Sequence, residues 1–183
     1  TGCAHQVRFP ILHDISGKFL NYPLKSPNMN RSAIQQTLTQ NHAAFVDYMQ
    51  GLSEADFLFR NGTKWTAGQQ LQHIIVCMKP LVQVLNMPKP MIAENFGVSN
   101  RASISVAEHV RQYEEKLAEG GKAPSRFVPE EVHFNQRAEL SEQLTQWVAG
   151  LNAQLETFSE AEMDHYCIPH PLLGAITLRE MMY

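Results

Sequence analysis

What this 183-residue chain lacks narrows it before anything it contains. No apolar run approaches the roughly 20 residues that a membrane-spanning helix needs. Three cysteines, Cys3, Cys77 and Cys167, are too few and too scattered for a disulfide framework or a CxxC site. That scarcity fits a reducing compartment. A net charge of −3 with no basic face gives no reason to expect nucleic acid. There is no Ser-His-Asp order, no phosphate loop and no paired-carboxylate motif of the kind that builds a di-iron centre. No stretch reads convincingly as a strand. Hydrophobic residues at 44% and charged residues at 18% are ordinary for a globular chain, and the length suits one domain with one core.

What is present is helical periodicity. Ile34, Leu38, Phe45, Met49 and Leu52 form the stripe of a first helix over about 32–50, and Gly51 suits its end. Ser53 caps a short turn of helix through Phe57, and Asn61-Gly62 marks a turn. A second helix follows Thr66. The stretch Asn86–Ser103, with two prolines, a glycine and several asparagines, reads as a connection and not a helix. Ser105 and Glu108 make a capping box for a third helix with Val106, Val110, Tyr113 and Leu117, stopped by Gly120-Gly121. After a loop with Pro124 and Pro129, the fourth and longest helix runs from about Gln136 to Phe158. Thr177 with Glu180 announces a fifth segment of only six residues, too short to stand alone against the cost of helix nucleation. It therefore frays unless packed, or the natural chain continues. Four amphipathic helices argue for an all-α four-helix bundle, and its two long inner connections set it apart from a simple up-and-down bundle.

Residues 1–28 read differently. They have no sustained period, and they form an N-terminal extension to a domain over residues 29–183. Thr1-Gly2-Cys3 also matches the tail of a lipoprotein cleavage site, with Cys3 as the acylated residue; an arbitrary start is the simpler reading.

The stretch Thr63–Met78, TKWTAGQQLQHIIVCM, carries the chemistry. Thr66 and Gln69 form a capping box. Leu71, Ile74, Ile75, Met78, Val82 and Leu85 make the apolar face, while Gln69, Gln72, Lys79, Gln83 and Asn86 share a polar arc. His73 and Cys77 fall on the border, where a side chain faces the gap between neighbouring helices. Pro80 is expected to kink the helix or end its first half. At such a border His73 reads either as a metal ligand or as a part-buried imidazole bonded to a carbonyl. His42 is a second interior histidine, and His109 and His133 read as surface or loop residues. Cys77 is a soft ligand or a buried thiol. His165 and His170, with His73, offer an alternative three-histidine site, the ligand count of an open catalytic zinc.

Lys64-Trp65-Thr66-Ala67-Gly68-Gln69, followed by Leu71 and His73, resembles the tryptophan, Ser/Thr and helix-histidine signature of the DinB-like superfamily, the YfiT-like metal-dependent bundle proteins. His170-Pro171-Leu172-Leu173-Gly174-Ala175-Ile176-Thr177 looks like that family's HP-x-x-G-x-x-T lead-in to its last helix. The resemblance spans Met29 to Tyr183. It implies a cytoplasmic bacterial four-helix bundle, often a homodimer, acting on a small molecule. It also implies a divalent metal (zinc, nickel or iron) held by one histidine of the second helix and two of the last. His73 matches the first position. The other two would lie past Tyr183, so the triad is not completed within this sequence. His170 and Trp65 are then expected to line the cofactor pocket. The activity implied is a metal-dependent hydrolase or a thiol S-transferase. The alternative is a non-catalytic bundle for dimerisation or small-molecule binding.

Overall fold

A computed structural model describes residues 28–183. The extension read over residues 1–28, apart from Asn28, and the candidate lipid anchor Cys3 lie outside the described residues. Four long helices carry the fold: α1 (Arg31–Gly51), α3 (Ala67–Leu85), α5 (Val106–Ala118) and α6 (Arg137–Leu155). Short helices sit between and after them: α2 (Glu54–Leu58), α4 (Lys89–Phe96), α7 (Glu160–His165) and α8 (Leu178–Met181). The caps expected at Ser53, Thr66, Ser105 and Thr177 form, and Ser159 adds another. Ser53, Thr66, Ser105, Ser159 and Thr177 each accept from the amide three residues on, which satisfies one orphan donor per helix start.

The core is built on α6, which packs between α1 and α3. One apolar cluster gathers Ile34, Leu85, Ile92, Leu155, Phe158 and Leu178. The other gathers Phe57, Leu71, Ile75, Leu144 and Val148, and Trp147 packs against both. The α5 stripe is less covered, and Val110 and Tyr113 each keep 38% of their surface exposed.

Two expectations are corrected, and of the two outcomes expected at Pro80 one is ruled out. Pro80 does not end its helix: α3 runs unbroken to Leu85, because burial of Met78, Val82 and Leu85 outweighs the one backbone bond that proline forfeits. The Asn86–Ser103 connection contains α4, started by Pro88-Lys89-Pro90 and pinned by the fully buried Ile92. Two strands also exist. β1 (Cys167–His170) pairs antiparallel with β2 (Gly174–Thr177), in the register Cys167–Thr177 to His170–Gly174. Four residues per strand are too few for a readable alternation. Gly174, at φ +72°, turns the chain as few other residues do.

α8 holds because it is packed. Leu178, Arg179 and Glu180 are all buried. Arg179 Nε and Nη2 donate to Asp164, Nη1 to the Met29 carbonyl and Nη2 to the Glu160 carbonyl. Glu180, wholly buried, accepts from Arg101 through both oxygens and from the amides of Ile104 and Thr177. Burial pushes its carboxyl up, but Arg101 and the two amides outweigh that and hold it below the usual range. Ser103 bridges Asp164 and Thr177. A buried ionic clasp thus joins the start of the bundle, the 99–104 loop, α7 and α8.

Candidate functional site

His73 lies half-buried in the second turn of α3. The capping box fixes where that helix begins, so it fixes the direction in which His73 projects: Thr66 Oγ accepts from the Gln69 amide and Gln69 Oε1 from the Thr66 amide, both at 3.1 Å. The 3-10 turn Ser125–Phe127 crosses above it. The ring Nδ1 lies 2.7 Å from the Phe127 carbonyl oxygen. A carbonyl only accepts, so Nδ1 carries a proton, and in the neutral ring Nε2 keeps its lone pair. Trp65 flanks the imidazole, with ring centroids 4.7 Å apart at 50°. The Cys77 Sγ lies 3.8 Å from Nδ1 and 3.7 Å from Nε2. Nearly equal distances keep the sulfur out of line with the Nε2 lone pair. Burial pushes the Cys77 thiol up, which keeps it protonated. Of the two readings left open for His73, the bond to the Phe127 carbonyl is the part-buried imidazole held by a backbone acceptor.

His170 sits at the end of β1. Its Nδ1 accepts from the amides of Leu172 and Leu173, at 3.1 and 3.2 Å, and so ties the hairpin turn. Its proton is therefore on Nε2, a donor and not a ligand in this state. The ring meets Tyr113 of α5 edge-on at 5.8 Å. Burial lowers its affinity for a proton, as does the charge that His109 would carry. His170 thus ties its own hairpin turn through Nδ1.

His109 corrects the sequence reading, because it is buried on α5. It stands edge-on to Tyr183 at 5.9 Å, and its Nδ1 has no partner among the described residues. His133 is exposed, as expected, and so is His165, against Tyr166. His42 donates Nδ1–H to the Leu38 carbonyl at 2.7 Å, within its own helix. No group of three His, Cys, Asp or Glu side chains is placed to hold a metal among the described residues. The three-histidine alternative of His73, His165 and His170 is therefore not assembled. The Phe127 carbonyl escapes sequence reasoning altogether, because a backbone acceptor leaves no residue-type signal. Tyr113 reads from sequence only as part of a stripe.

Burial lowers the proton affinity of His42, His109 and His170 below the ordinary imidazole value of 6.5. His109 faces Arg101, which opposes its charging, and Glu180, which favours it. A histidine with a depressed folded-state pKa binds fewer protons folded than unfolded. Stability therefore rises with pH across the window between the two values and falls as pH drops below about 6.5. Thermal midpoints should decline from pH 7.5 to pH 5.5, and the decline should flatten in His109→Gln. An equal slope in that variant would show that His109 contributes nothing to the decline.

An all-α bundle whose second long helix opens on Trp-Thr and carries a half-buried histidine, and whose last helical segment opens from a His-Pro hairpin, defines a class of protein. The chain belongs to the DinB superfamily, whose family model matches residues 37–183. No curated protein and no solved structure matches it.

Proposed function

We propose that this DinB-superfamily protein binds a divalent metal, zinc, nickel or iron, and that His73 supplies one ligand through Nε2. The observation that supports this is the state of one ring. The Phe127 carbonyl accepts from Nδ1–H, Trp65 braces the imidazole, and in the neutral ring Nε2 is left with its lone pair. Among the described residues His73 stands without two further ligands, and a second copy in a cytoplasmic homodimer is the source of further donors in this proposal. Such an ion, when bound, lowers the pKa of a coordinated water or holds a substrate thiolate, which are the chemistries of a hydrolase and of a thiol S-transferase. Trp65, His170 and Tyr113 supply the aromatic and hydrogen-bonding surface for a small-molecule substrate.

A second reading, a non-catalytic bundle for dimerisation or small-molecule binding, draws on the donor set: no third ligating group approaches His73 among the described residues. Metal analysis of the purified chain separates the two. Stoichiometric zinc, nickel or iron whose affinity falls at least tenfold in His73→Ala supports the first, since removing even the outer partner of a metal ligand costs about 10–100-fold. No bound ion and no affinity on titration leaves the second. Undiminished binding by His73→Ala removes the assignment of His73.

A further inference from the structure

Away from His73, the N-terminal end of α3 opens on a cavity of about 190 Å³, walled on its apolar side by Leu58 and Val132. Two of its polar lining residues are deeply buried: Thr66 and Gln69 are each only 6% exposed. Both are half-used by the capping box. The Thr66 oxygen accepts from the Gln69 amide, so its hydroxyl proton is left over. Gln69 Oε1 accepts from the Thr66 amide, so its NH2 group is left over. An amide proton must meet an oxygen, so this pairing also settles which end of the Gln69 side chain is nitrogen. Among the described residues neither leftover donor has an acceptor. Arg60 adds a guanidinium at the mouth, held only loosely by Glu131 at 3.8 Å. The 19-residue helix directs the positive end of its dipole to the same place.

What converges here is donor capacity without an acceptor: a hydroxyl, an amide NH2, a guanidinium and a helix start. Glu131 is the one acidic group, and it is 83% exposed at the rim. We infer that this cavity is a binding site for a small oxyanion, a phosphate or a carboxylate, held by Thr66, Gln69 and Arg60. Glu131 occupies Arg60 when the site is free and yields it when the anion enters. The site is separate from the His73 chemistry, and its test does not depend on metal.

The test uses the full chain titrated with inorganic phosphate and, separately, with acetate, at constant ionic strength. The readout is the NMR signals of the Gln69 side-chain NH2 and the Arg60 guanidinium. Saturable shifts in both are expected. Gln69→Glu is the decisive variant. It keeps the capping box, since glutamate accepts from the Thr66 amide just as well, but it turns the inward donor into an anion. It should weaken binding by about tenfold or more, the scale of one charge-assisted hydrogen bond lost. Arg60→Gln, on an exposed loop, should weaken binding similarly without touching the fold, and Glu131→Gln should tighten it. Saturation with phosphate alone assigns the site to phosphoryl groups; saturation with acetate alone assigns it to carboxylates. Shifts that stay linear in both anions, or an affinity unchanged in Gln69→Glu and Arg60→Gln, overturn the inference.

Discussion

Glu180→Ala should lower the free energy of unfolding by about 3 kcal/mol, the lower end of the cost of breaking a buried ion pair from one side. Glu180 has no exposed surface, and three donors depend on it: the Arg101 guanidinium, the Ile104 amide and the Thr177 amide, whose loss also breaks the capping box of α8. Each orphaned donor in a buried place costs about 1–3 kcal/mol. The low end is chosen because the Arg101 side chain is 45% exposed and water recovers part of its solvation. Glu180→Gln keeps one acceptor and should cost about half as much. Urea unfolding measures both. A loss below about 1 kcal/mol for the alanine variant would show that the clasp does not hold α8 in place. The hairpin should loosen with it, because β2 runs directly into the Thr177 cap. His170 would then lose its ties to Leu172 and Leu173, a change visible as faster amide exchange at those two residues.

Phe57→Ala should be at least as damaging, at about 3–5 kcal/mol for an aromatic removed from a core. The ring is fully buried, meets Phe134 edge-on at 5.7 Å, and lies directly over Gly68 of α3. A Cβ placed on Gly68 would come within 2.6 Å of it. Gly68→Ala therefore sets two effects against each other. Alanine favours a helix over glycine by up to about 1 kcal/mol, but overpacking a closed core costs about 1–3. The added methyl would also come within 3.0 Å of the buried Val132 Cβ, so it meets two core side chains at once. The clash should win, and Gly68→Ala should destabilise. Shortening the partner should reverse that sign: in a Phe57→Leu background, Gly68→Ala should become neutral or stabilising. Such non-additivity is what a double-mutant cycle reports. Strict additivity would show that Phe57 and Gly68 do not share the contact. The pair matters to both sites, because it sets the angle at which α3 starts, and that start positions Gln69 and, one turn on, His73.

Much of this molecule was legible as residues in a row. The stripes of α1, α3, α5 and α6 gave the bundle, because apolar side chains spaced at 3.6 residues over three or more turns line up on one face only if the backbone is helical. The caps at Ser53, Thr66, Ser105 and Thr177 were readable because each rests on a side chain and an amide three residues apart. His73 was legible as a border residue because its place on the helix wheel follows from the same spacing. The hairpin was not, since Cys167–His170 and Gly174–Thr177 pair with each other and carry no repeat of their own. Nor was α4, whose prolines look like breakers until they are seen at a helix start. His109 was misplaced because the burial of one residue on a short amphipathic helix depends on what lies opposite. Here that is Tyr183, 74 positions further along the chain.

By itself, then, the order of residues determined the local structures and the family resemblance, because periodicity and capping act within a few positions. The tautomer of His73, the burial of Glu180 and the leftover donors at Gln69 were decided only in three dimensions. Each depends on a carbonyl, a guanidinium or a wall brought from a distant part of the chain, and no local pattern records such a meeting.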